Sequence, residues 1–465
     1  SSSNISLSNP IHVFYNSTKT FSTGATANAT TFSLGSVAFR PDAMPTSGFN
    51  NQLTLTGANS GSITNITDAA AFTTGVLRTI NKTGAGTWSI TGNITSQAAI
   101  NVSAGKLILS GANTYGLATT INSGGIVQVK SNAALGPSTV NEANKTDIKA
   151  GGALEVNGNL SIGEFIRVAG TGPSNTGGIR AISGVSSLNA QIAMEGTGGS
   201  IVSFGVDTGA TLKVAKLYSD SGRDTHFEKV GSGKLILTSN ESDNYVGTTT
   251  ISAGTLQVGD GGTTGELKSS AAVSNNAALV FNRSNAYDFT GAISGTGTLE
   301  QVGSDTLILS GTSTYTGATT VSSGTLLVTG QLGNTATTVK DGATIGGDGT
   351  IAGSLHFDAG ANMIFDATQP LTVNGSTVTF GGFGVTDLVG FDGNVALGTY
   401  TLINGTASIS TTNLLHFGIE NAYDMGAGKQ AYFSTGSLQL VVIPESSTLL
   451  LGLLGSLALL RRQRP

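Results

Sequence analysis

The sequence contains no cysteine, a single tryptophan and only 8 prolines in 465 residues. Without cysteine there is no disulfide framework, no thiol nucleophile and no thiolate metal site. Charge is scarce as well: 11% of residues are charged, against about a quarter in an ordinary globular domain. The net charge is −5 and no basic run precedes the last five residues, which sets nucleic acid aside as a partner. Intrinsic disorder is excluded by the opposite shortage. Disordered chains lack branched apolar residues and carry high net charge, whereas 38% of this chain is hydrophobic.

What fills the chain is 67 glycines with Ser, Thr, Asn, Val, Ile and Leu, a composition of short strands and tight turns. Self-similarity is the strongest signal. Three segments align: LILSGANTYGLATTINSGGIVQV at Leu107–Val129, LILTSNESDNYVGTTTISAGTLQV at Leu235–Val258, and LILSGTSTYTGATTVSSGTLLV at Leu307–Val328. Each carries a Leu-Ile-Leu strand, a Tyr (Tyr115, Tyr245, Tyr315), a Thr-Thr pair, a Gly at one fixed offset from the Tyr (Gly124, Gly254, Gly324), and a second apolar strand.

Spacing turns the similarity into a fold. Gly86, Gly105 and Gly124 open strands at equal steps along the chain. Asp305, Gly324 and Ala343 repeat the same step, and Gly233, Gly254 and Ala277 follow at slightly longer ones. A unit of roughly twenty residues with short strands has no room for a helical crossover. It predicts an all-β, single-stranded parallel β-helix (β-solenoid), with alternate side chains pointing into the shaft. Leu107, Leu109, Leu256 and Val258 are expected inward, Gln257 outward, and Tyr115, Tyr245 and Tyr315 packed at coil corners. Residues 1–51 read as an N-terminal β lead-in, 52–354 as the solenoid, 355–442 as a C-terminal β cap, and 443–465 as a tail with a short hydrophobic helix. Lys130–Ser232 fits the repeat poorly and is expected to carry larger loops.

The three repeats resemble the autotransporter-associated β-strand repeat of large bacterial surface proteins. The last residues resemble the PEP-CTERM sorting signal: Ile443-Pro444-Glu445-Ser446-Ser447, an apolar Leu449–Leu460, then Arg461, Arg462 and Arg464. Ser446 stands where that pattern usually has a second Pro. The resemblance implies an exported, non-enzymatic surface or extracellular-matrix protein, structural or adhesive. It also implies a transient exosortase-type partner acting at Pro444, Glu445 and Ser446, and contact with exopolysaccharide or neighbouring cells. Independently, Thr448–Leu460 as a helix reaches about 20 Å, short of a hydrocarbon core of about 30 Å. That length suits transient inner-membrane anchoring with the arginines left in the cytoplasm. The chain opens at Ser1 rather than Met, as a chain freed of its leader would, or one simply cut there.

Candidate chemistry is thin. The densest polar cluster is Asp220, Arg223, Asp224, His226, Glu228 and Lys229, the place to seek a polysaccharide-active enzyme on a β-helix scaffold, the alternative function. A solvated surface loop is the expected reading, with no catalytic group. His12, His226, His356 and His416 have no metal-ligand spacing. The Gly-Asp turns at Gly259-Asp260-Gly261 and Gly347-Asp348-Gly349 are two stray copies rather than a calcium repeat. No metal and no cofactor is expected.

Overall fold

The computed structural model describes residues 5–14, 17–24, 32–39, 49–68, 76–137, 142–219, 224–239, 247–267, 272–434 and 436–445. The chain divides into two compact units, residues 1–260 with 264–271 and residues 261–263 with 272–465. Both are parallel β-solenoids. The described residues contain no α-helix, only short 3-10 turns such as Pro173–Asn175.

In the first unit the strand Gly105–Leu109 lies between Thr87–Ile90 and Gly125–Val129, parallel to both. Leu107 faces Trp88 in one coil and Val127 in the next. These partners lie one repeat back and one repeat forward, so the sequence spacing is the pairing register. It follows because each backbone N–H and C=O of a short strand must bond to the coil above or below. Alternation then buries Trp88, Leu107, Leu109, Val127 and Val129 and turns Lys106 and Ile108 outward. Leu235 and Leu237 repeat the pattern against Leu256 and Val258.

Coils lengthen through the middle of this unit. Val127 pairs with Leu154, Leu154 with Ile179 and Ile179 with Phe204, and each of these steps is longer than those on either side of Leu107. The additional residues go partly into longer strands, Val185–Glu195 and Thr211–Ser219, rather than wholly into the loops expected there. Parallel pairing already begins at Ile5–Leu7, which lies beside Phe32–Phe39.

The second unit is the more regular. Thr306 pairs with Thr325 and Thr325 with Thr344, and one coil carries three short strands, Thr325–Val328, Gln331–Leu332 and Thr337–Val339. Gly324 has φ +61°, and a Cβ there would sit 2.3 Å from the Gly303 carbonyl oxygen; only glycine fits a turn stacked this closely on the turn beneath. Gly254 in the first unit repeats the feature at φ +68°. Past Leu355 the interior becomes aromatic, Phe380 and Phe433 each lying within 5.8 Å of Phe383 centroid to centroid. Parallel pairing continues to Ser408–Ile409, beside Thr377–Phe380, and then reverses: Leu438–Pro444 runs antiparallel to both Gly398–Asn404 and Lys429–Ser434. Tyr115 and Tyr315 are buried, sharing hydrogen bonds with Thr119 and Thr319 respectively; Tyr245 lies outside the described residues.

Gln257 departs from its expected exposure. It points outward as alternation requires, yet is 4% exposed. Its amide folds over its own turn, Nε2 donating to the Gly259 carbonyl and Oε1 accepting from Lys234 Nζ.

Leu307 is 2% exposed inside the second unit. Leu307→Ala is expected to cost about 2–5 kcal/mol in chemical denaturation, and Leu307→Asp to unfold the neighbouring coils by burying an unpaired carboxylate. An alanine variant within about 0.5 kcal/mol of the parent, the range of surface substitutions, would contradict this placement.

Candidate functional site

The polar cluster expected around Asp224 is dispersed by strand alternation. Asp220 and Arg223 lie outside the described residues. Thr225–Val230 is a strand rather than a loop, with Thr225, Phe227 and Lys229 inward and His226 and Glu228 outward. His226 Nδ1 accepts from the Thr248 N–H at 2.9 Å. Glu228 accepts from Ser203 Oγ at 2.6 Å and Ser252 Oγ at 2.7 Å, one hydroxyl from each adjoining coil. Asp224 is exposed before the strand. His226 and Glu228 thus engage neighbouring coils, each on its own partners.

Lys229 is the correction. It is fully buried, and its ammonium donates to the carbonyls of Val230 (2.9 Å), Gly231 (2.6 Å) and Ala253 (3.0 Å). Lys82 is buried likewise and donates to the carbonyls of Gly84 and Ala104. Gln301 holds the equivalent position in the second unit, its Nε2 bonding the carbonyls of Gly303 (3.1 Å) and Asp305 (2.9 Å). All three sit just before a turn glycine and cap carbonyls that the turn leaves inside the coil, where an unmet acceptor costs about 1–3 kcal/mol. Burial lowers both lysines to about 8, so they stay charged at neutral pH. The signal was present as Lys82-Thr83-Gly84, Lys229-Val230-Gly231 and Gln301-Val302-Gly303, and a hydrophobic-pattern reading passes over it.

A charged ladder that sequence reasoning missed runs up an outer face of the first unit. Gln128, Glu155 and Arg180 occupy one registered column. Glu155 Oε2 accepts from Lys106 Nζ at 2.7 Å and Gln128 Nε2 at 2.8 Å, and Arg180 makes a bidentate pair with Asp207 at 2.9 and 2.8 Å. The Asp207 hydrogen bond, ahead of the opposing effect of burial, raises the Arg180 guanidinium further. Every carboxylate here faces a cation, which suits a structural ladder better than proton transfer.

The remaining candidates are separate. His356 Nε2 lies 3.1 Å from an Asp358 carboxylate oxygen, and its Nδ1 shares a hydrogen bond with the Thr379 hydroxyl (2.7 Å). Asp260 pairs with Lys213 at 2.6 Å, and among the described residues no group of His, Asp and Glu could hold a metal ion. In the second unit a solvent-open cleft of about 280 Å³ is lined by Val385, Leu388, Phe391, Asp392, Tyr423 and Met425 among others. Of the sorting-signal residues, Pro444 ends the last strand opposite Lys429, and the Glu445 N–H donates to the Gly428 carbonyl at 2.7 Å. Ser446, Arg461, Arg462 and Arg464 lie outside the described residues, as does the expected tail helix. Among the described residues no helix is long and apolar enough to cross a membrane.

One buried group gives a pH signature. Glu164 is 4% exposed and neither of its carboxyl oxygens has a hydrogen-bond partner. Burial pushes it up to about 8, so it is protonated at neutral pH. Burial also raises the Tyr115 phenol, to which an ionised Glu164 would add. The folded state thus holds this proton more tightly than the unfolded state. Its stabilising effect is complete below about pH 4.5 and is lost as pH rises to about 8, at up to about 1.4 kcal/mol per pH unit. The melting temperature is expected to fall between pH 5 and 8, and Glu164→Gln to flatten that slope. An unchanged slope in the variant would remove Glu164 as its source.

Four segments, residues 80–107, 102–129, 227–258 and 299–328, match the model of the passenger-associated-transport-repeat family. Each contains a buried Lys or Gln turn cap, a glycine-tight turn, or both. A search of the curated proteins finds no match. In these four segments the chain is similar to passenger-associated transport repeats, and each of them lies in the parallel coils.

Proposed function

We propose that the chain is an exported, non-enzymatic structural or adhesive protein of a bacterial surface or extracellular matrix. In this reading an exosortase-type enzyme processes its C-terminal sorting signal. The observation that carries it is the coincidence of passenger-type repeats with stacked coils: the matched residues are those that pair, cap and bury one coil against the next. Glu155, Asp207, Glu228 and Asp260 bond to hydroxyls, amides or cations of other coils, an arrangement that supports a scaffold rather than a catalyst. Exopolysaccharide or neighbouring cells are the partners such a surface would meet.

The placement of Pro444 supports processing at the tail. Among the described residues the last strand ends there and the Glu445 N–H donates to the Gly428 carbonyl, so a cut just beyond Glu445 would spare every described strand. Before the cut, residues 448–460 would halt in the inner membrane with Arg461, Arg462 and Arg464 on the cytoplasmic side.

Mass spectrometry of the protein from its native cells is expected to find a C-terminus close to Pro444–Glu445. Removal of residues 446–465 is expected to leave the melting temperature unchanged while converting surface-associated protein to freely released protein. A mature chain that keeps Arg464-Pro465 would contradict the sorting signal.

A further inference from the structure

We infer that the cleft of the second unit is a carbohydrate site that takes one neutral pyranose ring, at the end or on a branch of a glycan. The inference deepens the surface-protein reading and rests on it only for where such a glycan would be met. At about 280 Å³ the cleft is at the lower limit of small-molecule sites, which run from about 300 to 1,000 Å³. It has room for a ring rather than a chain.

Its walls match the two-sided chemistry of a sugar. Tyr423 and Phe391 are half-buried aromatic rings at the cleft, surfaces on which the C–H face of a pyranose can stack. Each ring is held from behind. Tyr423 packs edge-on to His416 at 5.1 Å, and Phe391 edge-on to Phe365 at 5.1 Å. At the rim the Asp392 carboxylate is exposed and oriented by the Asn394 backbone N–H (2.8 Å) and side-chain amide (3.0 Å). It keeps acceptor capacity for sugar hydroxyls.

The frame is fixed before any ligand arrives. Lys429 Nζ donates to the carbonyls of Gly393 (2.9 Å) and Val395 (2.8 Å) and so straps down the loop that carries Asp392. His416 has φ +54°, a left-handed conformation uncommon for a residue with a side chain. It is held there while its Nδ1 accepts the N–H of Val385, a cleft residue, at 3.1 Å. Strain stabilised by surrounding contacts is a recurrent property of binding sites. The lining contains a carboxylate and no cation, which disfavours anionic ligands, and the carboxylate rim disfavours purely apolar ones.

The test is saturation-transfer difference NMR on the full chain. The probes are methyl pyranosides of glucose, galactose, mannose and N-acetylglucosamine, with methyl glucuronide and cyclohexanol for comparison. At least one neutral methyl pyranoside is expected to bind, on the order of millimolar for a ligand of this size. Tyr423→Ala and Asp392→Asn should each weaken it at least fivefold at unchanged melting temperature. Tyr423→Phe, which keeps the ring, should stay within twofold of the parent and guards against a folding defect in the alanine variant. The inference is overturned if no neutral pyranoside gives a signal that Tyr423→Ala reduces, or if cyclohexanol or the glucuronide binds as tightly as the best neutral sugar. Because the measurement uses purified protein, such a failure leaves the chain's destination, read from its C-terminus in native cells, as a separate result.

Discussion

Among the described residues, the short strands of one parallel coil do not pair with one another. Its N–H and C=O groups bond upward and downward, and its apolar face is closed only by the coils on either side. Leu107 between Trp88 and Val127, and Leu326 between Leu307 and Ile345, are instances of the same dependence. Nearest-neighbour coupling of this kind makes stability a property of the stack. It also explains why mismatched lengths are tolerated. The first unit passes from the short coils around Leu107 to the longer ones around Leu154 and Ile179 without losing parallel pairing. Each coil has to match only its immediate neighbours.

Turns are where this construction is strained. Stacked turns crowd carbonyls into the interior, and the chain answers with two devices that work together. Glycine at positive φ lets one turn settle onto the turn below, as at Gly254 over Gly231 and Gly233. A buried Lys or Gln then supplies donors to the carbonyls trapped between them, as Lys229 does for Gly231 and Ala253. A charge inside a β-stack is costly unless fully bonded, and three carbonyl acceptors meet that condition for Lys229. The outer faces follow the same economy of neighbours, with Glu228 bonded to hydroxyls of two coils and Glu155 to Lys106 and Gln128.

Period-2 alternation and the even spacing of strand openings made the solenoid, its register and its leucine core legible in the sequence, since both are consequences of strand geometry. Features that depend on contacts between coils were not legible. Lys229 reads as a surface charge beside His226 and Glu228 until alternation turns it inward. Gln257 reads as exposed because its own turn cannot be seen to fold back over it. The Gln128–Glu155–Arg180 column joins residues in coils where the repeat has faded. The cleft at Phe391 and Tyr423 is assembled from segments that belong to no repeat, so no periodic signal could point to it. Pro444 and Glu445 stood out by order and C-terminal placement; their position at the last strand's end required the fold.

Register between coils is the claim on which the rest depends, and a chain without cysteine allows it to be read directly by cross-linking. Thr306 and Thr325 are registered partners on adjacent coils of the second unit. The account predicts rapid, near-complete disulfide formation in Thr306→Cys/Thr325→Cys, whose Cα separation of about 4.8 Å lies within disulfide range. The diagonal pair Thr306→Cys/Leu327→Cys, at about 7–8 Å, should oxidise far more slowly. Equal rates for the two pairs, or faster closure of the diagonal one, would contradict the coil register.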